Sequence, residues 1–353
     1  MSTLGRLLAG VDQLPMAVAW HASSLAEFRG RQELFTRQSP QRLKALRENA
    51  IIESAIASNR IEGVEIDRDR VRPVLIDGAA FRDRDEEEVK GYQEALRLIH
   101  DKGPALPMTE ATIQQLHKLC RGEIWDAGVY KAQDIDIIER YADGTSRVRF
   151  RTVPATETPA AMTALCTSWH DAMQSDMLRG PVALAAFNLD FLCVHPFRDG
   201  NGRVSRLLLL LGAYHLGFEV GRYVSLERLI EESKADYYET LRQSSQGWHE
   251  GQEDAWKYIA YVLSTLKTAY RKFEDRLATV EEPRGAKTMT VEEAIVAKAG
   301  QFTVQDLEVA CPGVSRDTIR AILKRMRKDK KVECLSRGGA GALWRKTGND
   351  RTG

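Results

Sequence analysis

Residues 195–206 read HPFRDGNGRVSR, and no other stretch restricts the fold as tightly. An apolar segment, Pro181–Val194 (PVALAAFNLDFLCV), precedes it, and a second, Leu207–Leu211 and on to Gly217, follows. The layout predicts helix, tight polar loop, helix, with both helices largely buried. Gly200 and Gly202 bracket Asn201, so the backbone can turn sharply and present successive N–H groups, a nest that binds phosphate at a helix start. Asp199 is a hard oxygen ligand suited to magnesium, which usually also takes oxygens from substrate phosphates. Arg203 and Arg206, three apart, share one face of the following helix, and two guanidinium forks suit a di- or triphosphate. His195 titrates near neutral pH and is the natural general base. A lone Gly-Asn-Gly would be an ordinary surface turn; seven useful residues in twelve positions argue for a site.

The string resembles the signature of the Fic family, HPFx(D/E)GNGRxxR, at every specified position. The resemblance implies a mainly α fold: a helical core with a β-hairpin flap. It also implies a nucleotidyltransferase that moves a nucleoside monophosphate, usually AMP from ATP, onto a protein hydroxyl. Carried over by position, His195 deprotonates that hydroxyl and Phe197 anchors the loop. Asp199 holds Mg2+, Gly200, Asn201 and Gly202 cradle the phosphates, and Arg203 and Arg206 bind the phosphate tail.

The chain has 353 residues, enough for two or three domains and a sizeable core. Its net charge of +1 gives no global attraction to nucleic acid or membrane, so any basic surface must be local. Five scattered cysteines without a CxxC pair suggest neither a disulfide framework nor a zinc site, and a reducing cytoplasm fits best. No apolar run reaches the length of a membrane span, and no signal pattern is evident at the N-terminus.

Residues 1–100 read as an N-terminal helical region, with an arm or short helices over the first 40. A strong helix over 41–62 is stopped by Gly63 and carries Ser54, Ser58 and Glu62 as a polar stripe. A carboxylate in the last turn faces the negative pole of the helix dipole and needs a cationic partner. SNRIEG, Ser58–Gly63, matches the inhibitory (S/T)xxxE(G/N) motif of one class of Fic proteins. The resemblance implies that Glu62 pairs with Arg206 and takes the γ-phosphate position, making the chain autoinhibited.

Residues 101–274 form the expected catalytic core. An amphipathic helix over 84–101 leads into it, with the charge run Arg84–Lys90 read as a solvated face. Further helices are expected over Thr109–Arg121 and Pro159–Met177. Between them, alternation around Ile135, Ile137, Val148 and Phe150, with a turn at Asp143-Gly144, predicts a β-hairpin. The resemblance makes it a flap that aligns the target segment, with Lys131 standing where the family often has Arg. Tyr238 fits the family's adenine-enclosing tyrosine, whereas Ser245 stands where an asparagine is expected. The histidines His21, His100, His117, His170, His215 and His249 lack paired ligand spacing and read as packing or surface groups. A long helix is expected from Trp256, and residues 275–288 read as a linker.

Residues 289–348 have the outline of a winged helix-turn-helix domain. Two helices, Val291–Ala299 and Thr303–Ala310, precede a Pro312-Gly313-Val314 turn and a third helix capped by Ser315. Strands Val332–Leu335 and Leu343–Arg345 flank a Gly338–Gly341 tip. The third helix buries Ile319, Ile322, Leu323 and Met326 and presents Arg316, Arg320, Lys324 and Arg327 as candidate DNA contacts. From Arg316 to Lys331 there are eight basic and two acidic residues, a local charge of +6.

These features favour a protein adenylyltransferase (AMPylator) that uses ATP and Mg2+ on a Ser, Thr or Tyr hydroxyl of a target protein. Two alternatives stand: a DNA-binding regulator whose core senses nucleotide, and removal of AMP by the same site. Family members often modify themselves or dimerise, so the chain itself is a candidate target and a homodimer a candidate assembly.

Overall fold

The computed structural model describes residues 2–10, 13–36, 40–140, 144–175, 178, 180–278, 286–298, 300–311, 314–336 and 341–347. Among them the chain is mainly helical with two small antiparallel sheets. The first helices are α1 (Thr3–Ala9), α2 (Met16–Thr36), α3 (Pro40–Ile61), α4 (Val71–Leu75), α5 (Arg84–Lys102) and α6 (Glu110–Arg121). A hairpin follows, β1 (Asp136–Arg140) and β2 (Ser146–Arg151). Then come α7 (Thr158–Gln174), α8 (Pro181–Val194), α9 (Asn201–His215), α10 (Leu226–Glu232), α11 (Lys234–Ser244) and α12 (Trp256–Ala278).

Buried side chains from Leu4 to Phe273 form one apolar cluster, so the helices on either side of residue 100 share a core. α8 begins with proline in its first turn and buries every residue from Ala183 to Val194. It is apolar on every face but for Asn188 and Asp190, both buried and hydrogen-bonded, as suits a central helix. α9 buries Leu207 to Leu211, each worth roughly 2 kcal/mol against exposure. α8 and α9 pack together, and α6 and α5 lie against α9. α3 packs on α5 and α10 and reaches α9, while α2 runs along α12. α1 is tied beneath α8: the Thr3 and Leu4 N–H groups both donate to the Asp190 carboxylate at 2.8 Å.

Several ends follow from local chemistry. Thr109 caps α6 by accepting from the Thr112 N–H, and Asp83 caps α5 by accepting from Glu86. α3 closes just before Glu62, and Gly63 takes φ +84°.

The C-terminal unit runs α13 (Ala286–Val296), β3 (Phe302–Thr303), α14 (Val304–Ala310), α15 (Arg316–Lys328), β4 (Val332–Cys334) and β5 (Leu343–Lys346). Its strands pair antiparallel in the order β3-β5-β4. A second apolar cluster, Val291 to Val332, includes Ile319, Ile322, Leu323 and Met326 of α15. The unit rests on the larger body near α3: Asn49 donates to Thr290, Arg68 pairs with Asp306 at 2.8 Å, and Gln305 donates to Asp69.

Some expectations need correcting. The N-terminal stretch contains a 21-residue helix, α2, because Val18, Leu25 and Phe28 give it a buried face. The run Arg84–Lys90 is not a solvated face: Glu86 and Glu88 are buried, each held by arginines from neighbouring segments. Helix continues to Ala278 and resumes at Ala286, which trims both ends of the 275–288 linker. β3 was not foreseen, being only two residues long. Asp143 of the hairpin turn, Pro312-Gly313 and Gly338–Ala340 lie outside the described residues. Among the described residues, no helix is long and apolar enough to cross a membrane.

Candidate active site

His195 sits at the C-terminal end of α8 with φ +52°, a left-handed conformation that a non-glycine residue adopts at a cost. Its own N–H closes the helix by donating to the Phe191 carbonyl at 3.0 Å. The chain then turns through Phe197, which is completely buried, and α9 starts at Asn201 after Gly200, also left-handed at φ +80°.

Three contacts fix this loop. The Asn201 amide accepts from the Phe197 N–H at 2.9 Å and donates to the Phe197 carbonyl at 2.7 Å. The His117 ring stacks on Phe197 with centroids 3.8 Å apart. His117 also joins the loop to α6. Gly128 N–H donates to its Nδ1 at 2.8 Å, so Nε2 carries the proton and donates to the Asp199 carbonyl at 3.0 Å. Burial pushes the His117 pKa down to about 4, consistent with that neutral tautomer. The Asn201 side chain therefore braces the loop; only its backbone N–H remains for a phosphate.

Behind the loop runs a buried charge network. Arg203 donates to Glu88 at 2.5 Å and to Asn59 at 3.3 Å. Arg121 bridges Glu88 at 2.6 Å and Asp199 at 2.7 Å. Gly200 N–H donates to the other Asp199 oxygen at 2.6 Å. Burial works to raise the Asp199 pKa, but Arg121, Arg203 and the Gly200 N–H outweigh it and hold the carboxyl below its ordinary value. Glu88 and Arg121 thus complete the site, and sequence reading missed both.

Arg206 is fully enclosed. Its Nε donates to the Ser58 hydroxyl at 2.8 Å, and its Nη2 donates to the Ser58 carbonyl at 2.9 Å and to Glu62 Oε1 at 2.8 Å. The same Glu62 oxygen lies over Gly202, only 2.2 Å from where a Cβ would stand. α3 therefore delivers both Ser58 and Glu62 to the start of α9.

A cleft of about 260 Å³ opens in front of these groups, lined by Glu62, His195, Gly202, Tyr237, Tyr238, Leu241 and Ser245. The hairpin supplies its far wall through Asp136, Ile137, Arg149 and Phe150. Asp199 is not part of this lining; its side chain is largely exposed beside Arg121. His249 pins the hairpin by bonding to the Arg151 carbonyl at 2.7 Å and stacking on Phe150. Lys131 ties it to the active loop, donating to Thr152 at 2.7 Å and to the Val194 carbonyl at 3.1 Å. Burial pushes the Lys131 pKa down to about 8.

Burial, and then the Lys131 cation, push the His195 pKa down to about 4. Its Nδ1 is buried without a hydrogen-bond partner among the described residues. It is a neutral imidazole with one nitrogen unclaimed. Tyr238 lines the cleft. Arg316, Arg320, Lys324 and Arg327 lie on α15 in the C-terminal unit, where Arg316 already pairs with Glu308 at 2.9 Å and Arg320 with Asp317 at 3.8 Å.

A helical body whose buried helix ends in a left-handed histidine, turns through a braced glycine loop and restarts as an arginine-bearing helix defines a class. Residues 107–212 match the Fic/DOC family, and the chain carries a Fic/DOC domain. Among curated proteins it is similar to a protein adenylyltransferase fic-1 of Caenorhabditis briggsae, 26% identical over 249 residues. That match covers 67% of this chain but only 45% of the relative, so the chain spans about half the relative's length. Among solved structures it is similar to a Fic family protein from Desulfovibrio desulfuricans G20, with a TM-score of 0.60 and 24% identity. There the match covers 96% of this chain and 98% of the other. A Fic domain-containing signalling protein from Bacteroides thetaiotaomicron gives a TM-score of 0.61 at 22% identity, covering 74% of this chain and all of that one. These two likenesses establish the fold.

Proposed function

We propose that the chain is a protein adenylyltransferase that moves AMP from ATP to a Ser, Thr or Tyr hydroxyl of a target protein. The observation that carries the reading is the cleft itself: an unprotonated His195, the Gly202 helix start and an aromatic wall at Tyr238 face one space. In the reaction, the target hydroxyl oxygen attacks the α-phosphorus in line while the bond to the bridging oxygen of the β-phosphate breaks. His195 takes the hydroxyl proton, and pyrophosphate leaves. Backbone N–H groups at the α9 start hold the phosphates, and positioning with charge neutralisation supplies most of the rate.

Mg2+ fits as a partner of the nucleotide. Among the described residues no group of three ligating side chains exists, but magnesium commonly takes one carboxylate plus substrate phosphates and water. Asp199, solvent-facing and held ionised by Arg121, is that carboxylate. The ion would offset phosphate charge.

Glu62 makes the enzyme autoinhibited. With its carboxylate on Arg206 and over Gly202, the γ-phosphate loses its guanidinium and meets a like charge. Incubation with labelled ATP and Mg2+, followed by mass spectrometry for added AMP, tests both points. Glu62→Gly should label targets, or itself, much more than the unaltered chain; equal labelling removes the autoinhibition. His195→Ala in the Glu62→Gly background should lose transfer yet keep ATP binding.

The C-terminal unit is read as a winged helix-turn-helix that contacts DNA through α15. The order of its elements and the exposed Lys324 and Arg327 support this. A salt-sensitive gel shift is the expected result.

A further inference from the structure

The hairpin wall of the cleft carries one irregularity with chemical weight. Ile137 pairs with Phe150 and Ile138 pairs with Val148, so Arg149 is an extra residue on β2, a bulge. In a regular strand, residues 149 and 150 would point to opposite faces. Here both line the cleft, and re-aiming a side chain is what a bulge beside an active site does. Arg149 is half-buried, and its Nε is buried with no hydrogen-bond partner among the described residues. Its charge reaches Tyr238 and Glu239 on α11. That Nε–H is drawn out of water with no acceptor to meet it, a donor the free chain leaves unanswered.

We infer that Arg149 is a nucleobase-binding residue, closing over the base that Tyr238 supports from the opposite wall and setting which base is accepted. This rests on the proposal that the cleft takes a nucleotide. The phosphate end of such a ligand belongs at Gly202 and Arg206, where α9 starts. The other end meets Ile137, Phe150, Leu241 and Ser245, a mostly apolar slot suited to a flat heterocycle. A guanidinium is flat, permanently charged and weakly hydrated, so it stacks on a π face and can also fork onto base acceptors. Ser245 alone offers one small hydroxyl, too little to distinguish purines. Arg149 supplies the missing donor set.

The test compares Glu62→Gly with Glu62→Gly carrying Arg149→Ala or Arg149→Lys, all as full chains. Titration calorimetry measures binding of ATP, GTP, CTP and inorganic tripolyphosphate, with melting curves to confirm folding. Arg149→Ala should weaken ATP by about tenfold, narrow the spread between the three nucleotides and leave tripolyphosphate within about twofold. Arg149→Lys should recover less than half of the lost discrimination, since it keeps the charge but loses the plane. An equal loss for tripolyphosphate, full rescue by lysine or unchanged ATP affinity would each overturn the assignment while leaving the nucleotide cleft intact. Failure of the Glu62→Gly chain to bind any of the nucleotides would overturn both readings.

Discussion

His195 shows how much a single residue's surroundings decide. Free imidazole is half protonated near pH 6.5. Burial and the Lys131 cation lower this group to about 4, so it stays a base through the neutral and mildly acidic range. The acid limb of kcat/KM for the Glu62→Gly enzyme should therefore centre near pH 4; a fall centred at 6.5 contradicts the environment described. The stability effect has the matching sign. A lowered histidine pKa means the unfolded chain binds more protons between about 4 and 6.5, so this contribution is full above 6.5 and lost as pH falls through 4. Glu88 is the other decisive residue, for it neutralises Arg203 and Arg121 together. Glu88→Gln should cost about 3 kcal/mol in chemical denaturation, because two buried cations keep their positions and lose the buried carboxylate they share, leaving only the solvent-facing Asp199. A loss below about 1 kcal/mol would mean that the pocket is wetter than its burial indicates.

At the scale of elements, α1 is a brace for the catalytic helix. Its first two N–H groups and the Trp248 indole at 2.7 Å converge on Asp190, five residues before His195. Burial raises the Asp190 pKa to about 6 even with those donors opposing it. The folded chain then binds the extra proton between about 4 and 6, so stability from this group is present below 4 and lost as pH rises through 6. Deleting residues 2–10 takes away two donors and should lower Tm more at pH 8 than at pH 5. An equal loss at both values would show that α1 acts through packing alone. The same scale shows what the sequence made legible. The loop from His195 to Arg206 was readable because its parts are consecutive, and Glu62 because its motif sits at a helix end. Glu88 was not, since the run Arg84–Lys90 has the composition of a wet surface until α6 and α9 pack against it. Arg149 was hidden because strand alternation assigns it to the wrong face, and only the observed register reveals the bulge.

On the scale of the whole molecule, the C-terminal unit leans on α3, the helix that brings Ser58 and Glu62 to Arg206. Asn49 of α3 donates to Thr290, and the segment just beyond Glu62 meets α14 through Arg68–Asp306 and Asp69–Gln305. Arg68 is more than half exposed, so its pair alone is worth less than about 1 kcal/mol. Arg68→Glu replaces that attraction by repulsion. It should speed amide hydrogen exchange in α13 and along the Asn49–Glu53 stretch of α3 without lowering the main melting transition. Unchanged exchange in α3 would mean that the contact does not report on that helix. The helical framework was thus written in the periodicity of the chain, whereas the seat of one unit on the other depended on scattered polar pairs with no sequence signature.

The bare backbone at Gly202 has a further implication. The room left by its missing side chain is where the carboxylate of Glu62 now rests. Under the proposed function the tail of an incoming nucleotide comes to the same vacancy, which would make blocker and fuel rival tenants of one hole. A mutation that filled it to evict the blocker would shut out the fuel as well. On that proposal the brake would be relieved from its own side, by moving α3 or changing Glu62, rather than by remodelling the floor on which it stands.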